Sequence, residues 1–165
     1  MSGKTAILYY SRSGHSKRLA TRLASDLQGT LMEVNAPAYA TPVIWYLRAG
    51  FDSLRQKWSP APQSFSDLQA FDRIILCGPV WTSYPAAPLR AILSDKAQLP
   101  PDVALFVTSG GQSPAQKAYS VGEADLGRPF AATATLPNGF EGTDREEEIV
   151  GRFLADLQAA RILTG

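Results

Sequence analysis

Apolar positions along the chain alternate between two rhythms, short unbroken runs and stripes of helical period. Ala6 to Tyr10 is an apolar run of the kind that forms a strand buried on both faces. The period then changes. Leu19, Ala20, Leu23, Ala24 and Leu27 fall on one face of a helix, with Lys17, Arg18 and Arg22 off it, and Gly29 is expected to end it. Leu31 to Val34 predicts a second strand. Thr41-Pro42 is a cap and first turn for a helix striped by Leu47, Phe51, Leu54 and Trp58 and stopped by Pro60 and Pro62. Ile74 to Cys77 predicts a third strand and Pro85 to Leu93 the helix after it. Val103 to Thr108 predicts a fourth strand, with Ser113-Pro114 opening a further helix. Phe130 to Leu136 alternates weakly as a fifth strand. A capping box, Thr143 to Glu146, opens a last helix striped by Ile149, Val150, Phe153, Leu154 and Leu157.

Five strands alternating with five helices predict an α/β domain, a doubly wound three-layer sandwich on a five-stranded parallel sheet. Ligands of such sheets bind beyond the carboxyl ends of the strands, at the switch point. The loops after the first, third and fourth strands are therefore the candidate site.

Composition narrows the class. With 165 residues, 45% hydrophobic and 19% charged, the chain is expected to be a single domain, 1–165, with a core of its own. The first apolar run is too short for a signal peptide or membrane span, so a cytoplasmic protein is expected. One cysteine, Cys77, and one histidine, His15, exclude a disulfide framework and a Cys/His zinc site. Cys77, at a strand end, reads as a buried small hydrophobe. His15 reads as an exposed loop residue. A net charge of +1 announces no nucleic-acid partner. Its distribution is uneven, with 8 Lys/Arg against 3 Asp/Glu in residues 1–60 and 8 against 12 in the remainder.

Each loop admits two readings. Ser11-Arg12-Ser13-Gly14-His15-Ser16 leads into a helix start and offers backbone N–H groups, hydroxyls and a favourable dipole end. It is either an anion cradle or a helix cap supplied by Ser13. It has no P-loop lysine and is no GxGxxG. Gly78-Pro79-Val80-Trp81-Thr82-Ser83-Tyr84-Pro85 places two aromatics after the third strand, as a stacking platform or as a plug between loop and helix. Thr108-Ser109-Gly110-Gly111-Gln112-Ser113 either meets the polar edge of a planar ring or is a tight turn. In combination the three offer a phosphate site, an aromatic wall and a polar edge.

These residues resemble the flavodoxin-like superfamily along nearly the whole chain. Ser11-x-Ser13-Gly14-x-Ser16 is similar to its phosphate-binding signature. Pro79-Val80-Trp81, with the helix to Leu93, is similar to its third-strand loop, and Thr108-Ser109-Gly110-Gly111 to its fourth. The resemblance implies the strand order 2-1-3-4-5 and FMN as cofactor. Its phosphate would lie on Ser11, Ser13 and Ser16 in the loop that also holds Arg12, Gly14 and His15. Its ring would lie between Trp81 and Tyr84, within Pro79, Val80, Thr82 and Ser83, with Ser109, Gly110 and Gly111 at the pyrimidine edge.

Two departures bear on mechanism. The family often has a glycine near the tip of the third-strand loop, where this chain has Ser83. Its electron shuttles are strongly acidic, whereas this chain is near neutral. The implied roles are therefore an electron carrier with a protein partner or a small NAD(P)H-linked flavin or quinone reductase, as monomer or homodimer. A flavin-free binding module on the same fold stands as the alternative of another class. A phospho-acceptor receiver is disfavoured, because Tyr9-Tyr10-Ser11 brings no carboxylate for a metal. An esterase is disfavoured because no triad spacing is present. The aromatic stretch from Tyr39 to Phe65 reads as core, as a roof over the flavin, or as a dimer face.

Overall fold

The computed structural model describes residues 3–36, 67–111 and 115–164. The helix expected from Thr41, the aromatic stretch between Tyr39 and Phe65, and the Ser113-Pro114 helix opening lie outside the described residues.

Strand β1 (Thr5–Tyr9) leads into helix α1 (His15–Leu27) and strand β2 (Thr30–Glu33). Strand β3 (Arg73–Trp81) pairs back on a short strand β4 (Tyr84–Pro85) before helix α2 (Ala87–Ser94). Strand β5 (Asp102–Ser109), helix α3 (Gln116–Leu126), strand β6 (Thr133–Pro137) and helix α4 (Asp144–Thr164) follow. The sheet order is β2-β1-β3-β5-β6, all parallel, with β4 antiparallel to β3 at its end. This is the flavodoxin-like order expected from the sequence, with β1, β2, β3, β5 and β6 as its five strands.

Strand alternation sends side chains to two cores. Ala6, Leu8, Ile74, Leu76, Val103, Leu105 and Val107 face α2 and α3. Ile7, Tyr9, Ile75, Cys77, Ala104 and Phe106 face α1 and α4. The predicted stripes land there, with Leu19, Ala20 and Leu23 of α1 and Val150, Phe153 and Leu157 of α4 all buried. Each fully buried Leu or Phe contributes roughly 1.5–3 kcal/mol. Phe106 and Phe153 meet at a ring-centroid distance of 4.7 Å.

Several element boundaries differ from expectation. Gln28, with φ 51°, is the left-handed residue after α1, and its N–H and that of Gly29 close the helix on Ser25 and Ala24. Gly29 is instead required by close approach, since a Cβ there would sit 2.4 Å from Ile7 Cδ1 and 3.0 Å from the Thr5 carbonyl. Helix α2 starts at Ala87 because Tyr84 and Pro85 are held in sheet pairing, opposite Trp81 and Val80. Strand β6 starts at Thr133, as Phe130 packs its ring on Gly122 of α3. The capping box is not reciprocal. Thr143 Oγ1 donates to the Phe140 carbonyl, and the Glu146 carboxylate accepts from Gly142 N at 2.6 Å.

Strand β3 continues through Gly78-Pro79 because its neighbour β1 has ended. The register pairs Tyr9 with Cys77, so the N–H that Pro79 lacks falls past the end of β1. At the tip, Thr82 (φ 46°) and Ser83 (φ 72°) are both left-handed, as a two-residue type I′ hairpin requires. Neither residue is suited to that region, and the β-branched Thr82 least of all. Replacing the pair with Asn-Gly (Thr82→Asn with Ser83→Gly) is expected to stabilise the protein by about 1 kcal/mol. Thermal unfolding followed by circular dichroism checks this, and an unchanged midpoint would show that the tip stores no strain.

Candidate functional site

At the carboxyl edge of the sheet, the loops after β1, β3 and β5 enclose a cleft of about 560 Å³. It is lined by Ser11, Arg12, Ser13, His15 and Ser16 on one side and by Pro79, Val80 and Trp81 on another. Thr108, Ser109, Gly110 and Asn138 complete it.

The first wall is the start of α1. Gly14 adopts φ 96° as the N-cap, a conformation that favours glycine, and a Cβ there would meet nothing within 4 Å. Its N–H donates to Ser11 Oγ at 3.1 Å and its carbonyl accepts from Arg18 N at 2.9 Å. Ser13 therefore does not cap the helix, which has no side-chain cap and no acidic residue in its first turn. First-turn amides lack intrahelical acceptors and carry the positive end of the dipole. Ser16 is buried and its hydroxyl pairs with Thr108 Oγ1 at 2.7 Å. Of the two protons in that pair one is spent within it, leaving one O–H to donate.

The second wall is Trp81, 8% exposed and held edge-on by Tyr10 at 5.6 Å between centroids. Tyr84 is placed elsewhere. Its buried ring carries Lys117 Nζ at 4.7 Å and the Arg90 guanidinium at 5.6 Å, and it does not line the cleft. Gly14, Thr82, Ser83 and Gly111 likewise are not lining residues, although Gly14, Thr82 and Gly111 each adjoin one. In the third wall Ser109 Oγ donates to the Gly111 carbonyl at 2.7 Å.

His15 is half-buried rather than exposed, and its Nδ1 lies 2.7 Å from Glu141 Oε1. Glu141 and Asn138 follow β6, a loop the sequence reading passed over. Two more pairs fasten α1 to α4. Arg18 grips Glu146 bidentately at 2.8 and 2.9 Å, and Arg22 grips Glu147 at 2.8 and 2.7 Å. Hydrogen bonding from Arg18 holds the buried Glu146 carboxyl below the usual glutamate range, aided by the Gly142 amide against the cost of burial. Beneath the sheet end, burial pushes the Cys77 thiol up, out of reach of thiolate chemistry at neutral pH.

The only ionisable side chains among the cleft-lining residues are Arg12 and His15. Among the described residues no cluster of three or more His, Cys, Asp or Glu is placed to hold a metal ion, and no helix is long and apolar enough to cross a membrane. The cleft is thus a surface of hydroxyl and amide donors beside one indole, without a carboxylate. Such a surface accommodates an anion joined to an apolar ring.

No family model matches the chain, and no curated protein sequence does. Solved structures do. A flavoprotein from Lactobacillus acidophilus NCFM, determined in complex with FMN, is 27% identical over 82% of this chain and 92% of its own, with a TM-score of 0.62. A flavodoxin from the domain Archaea aligns over 98% of this chain and 99% of its own at 12% identity and a TM-score of 0.60. An NADH:FMN oxidoreductase in its apo form aligns over 97% and 89% at 14% identity and a TM-score of 0.57. The fold is flavodoxin-like.

Proposed function

We propose that the cleft binds FMN and that the chain is a flavin-dependent redox protein. The observation that carries this reading is the union of an acid-free helix N-terminus, Ser hydroxyls and Trp81 in one cleft. A volume of about 560 Å³ lies within the range of small-molecule sites. The left-handed Gly14, with open space where a Cβ would stand, and the surplus of donors both fit a phosphate monoester. The likeness to the Lactobacillus flavoprotein supports the same cofactor.

In this reading Ser11, Ser13, Ser16 and the α1 amides hold the phosphate, with Arg12 adding charge. Trp81, fixed by Tyr10, covers the ring and excludes water, while Ser109 and Gly110 present backbone to its polar edge. Bound there, the isoalloxazine supplies one- and two-electron transfer. The protein's own part is to hold the phosphate, orient the ring and leave one edge open beside the exposed hairpin tip at Thr82 and Ser83. Its electrons are exchanged with a redox partner protein or with NAD(P)H.

Incubation with FMN, desalting and a visible spectrum test this directly. About one flavin per chain with perturbed bands is expected, followed by bleaching with NADH or NADPH under anaerobic conditions if the protein is a reductase. A colourless eluate would overturn the reading and leave the cleft to a flavin-free binding module.

A further inference from the structure

Strand β6 ends the sheet, with β5 on one side and, among the described residues, no strand on the other. Leu105 N donates to the Ala132 carbonyl, and the parallel ladder pairs Leu105 with Thr133 and Phe106 with Ala134. Alternate residues of such a strand turn their amides to the neighbour. The bond to Ala132 sets the phase, so Ala134 and Leu136 face β5, and the N–H and C=O groups of Thr133 and Thr135 face outward. Among the described residues nothing meets them there. Open edges are ordinarily blunted by a charge, an inner proline or a bulge, and Thr133 to Leu136 carries none of these.

The edge lies in a groove of about 340 Å³ between α3 and α4. Tyr119 stands on the α3 side, its hydroxyl bonded to Thr135 Oγ1. On the α4 side Phe153 is buried, while Arg152 and Asp156, about one turn apart, are exposed. Neither has an ion-pair partner among the described residues.

We infer that a second copy of this chain docks on this edge, the two β6 strands pairing antiparallel about a two-fold axis. The self-complementarity of the edge selects a second copy over an unrelated strand. With the axis at Ala134, Thr133 of each copy lies opposite Thr135 of the other, and each such pair exchanges both of its hydrogen bonds. All the outward groups are then satisfied. Centring on Thr135 would set Thr133 against Pro137, which has no N–H to give. Centring on Thr133 would set Thr135 against Ala131, whose N–H is already donated to the Val103 carbonyl. The same axis runs the two α4 helices antiparallel, so Arg152 of each copy approaches Asp156 of the other. A net charge of +1 per chain adds little repulsion. The axis sends the two clefts to opposite ends of the assembly, and the inference stands apart from the FMN reading.

Size-exclusion chromatography with light scattering is expected to show the full chain as a dimer at micromolar concentration. Thr135→Pro removes an outward N–H and spares the ladder to β5, and is expected to elute as a folded monomer. Arg152→Asp and Asp156→Arg are each expected to weaken the dimer by about tenfold, since symmetry makes each reversal count twice, and the double exchange to restore it to within about threefold of wild type. This exchange decides the matter even if the proline unfolds the strand. Ala134→Cys sets two thiols on a pair about 4.5 Å apart between Cα atoms, and is expected to cross-link the dimer under oxidation. Thr133→Cys, whose two copies would stand about 8 Å apart, is not. A monomeric wild type overturns the inference and leaves the edge to a strand of another protein. A dimer indifferent to both charge reversals, or one that cross-links through position 133 and not 134, overturns it as well.

Discussion

Ser13→Asp is expected to lower FMN affinity by at least about a hundredfold while leaving α1 as stable as before. Position 13 is exposed at the mouth of the cradle, two residues before the helix begins. Two unit charges about 4 Å apart repel by roughly 4 kcal/mol at an effective dielectric of 20, and a phosphate dianion doubles the effect. The same carboxylate near a helix N-terminus is favourable by about 0.3–1 kcal/mol in the flavin-free protein. The substitution therefore separates binding from folding, since affinity falls while stability does not. Fluorescence titration with FMN and with riboflavin, which has no phosphate, reads the difference. Equal weakening of both ligands would place the phosphate elsewhere.

Removing the Glu146 carboxylate is the second large effect, and it falls on stability. Glu146 is 1% exposed and is held by Arg18 and Gly142 N. Removing one partner of a fully buried ion pair costs about 3–5 kcal/mol because the other charge is left unpaired, but the Arg18 side chain is 44% exposed and regains water. Glu146→Ala is therefore expected to lose about 2 kcal/mol. In a chain of this length that lowers the melting temperature by about 4–8 °C.

The pH dependence follows from the depressed carboxyl of the folded state. Its contribution is complete above the ordinary glutamate value of about 4.3 and is lost as pH falls through the lower native value. Glu146→Gln removes this titration. Its melting temperature should decline less steeply below about pH 5 than that of the parent protein. Parallel acid limbs for the two proteins would show that other carboxyls carry the acid sensitivity.

The sheet was legible because buried parallel strands are written as unbroken apolar runs, and β1 and β5 are such runs to within a residue of their ends. The first wall of the cleft was legible because Ser11 to Ser16 combines hydroxyls and glycine at a change of period. Other features depend on contacts that local pattern does not encode. Gly78-Pro79 reads as punctuation, yet it lies inside β3, because what permits proline there is the length of a neighbouring strand. Tyr84 reads as a stacking platform or as a plug between loop and helix, and it is the hairpin that turns it under Lys117 and Arg90. Asn138 and Glu141 were missed because Pro-Asn-Gly is a turn sequence wherever it occurs. Only β6 and the arginine ladder from α1 show that this turn closes the cleft.

The ladder joins residues far apart in the chain, His15 to Glu141, Arg18 to Glu146 and Arg22 to Glu147. During synthesis, which proceeds from the N-terminus, the Ser11–Ser16 loop and α1 leave the ribosome early, but Glu141 and the α4 carboxylates leave late. The nascent chain thus carries the first wall of the cleft without the turn that closes it, and on the proposed function cofactor capture would belong to the finished polypeptide rather than to the growing one.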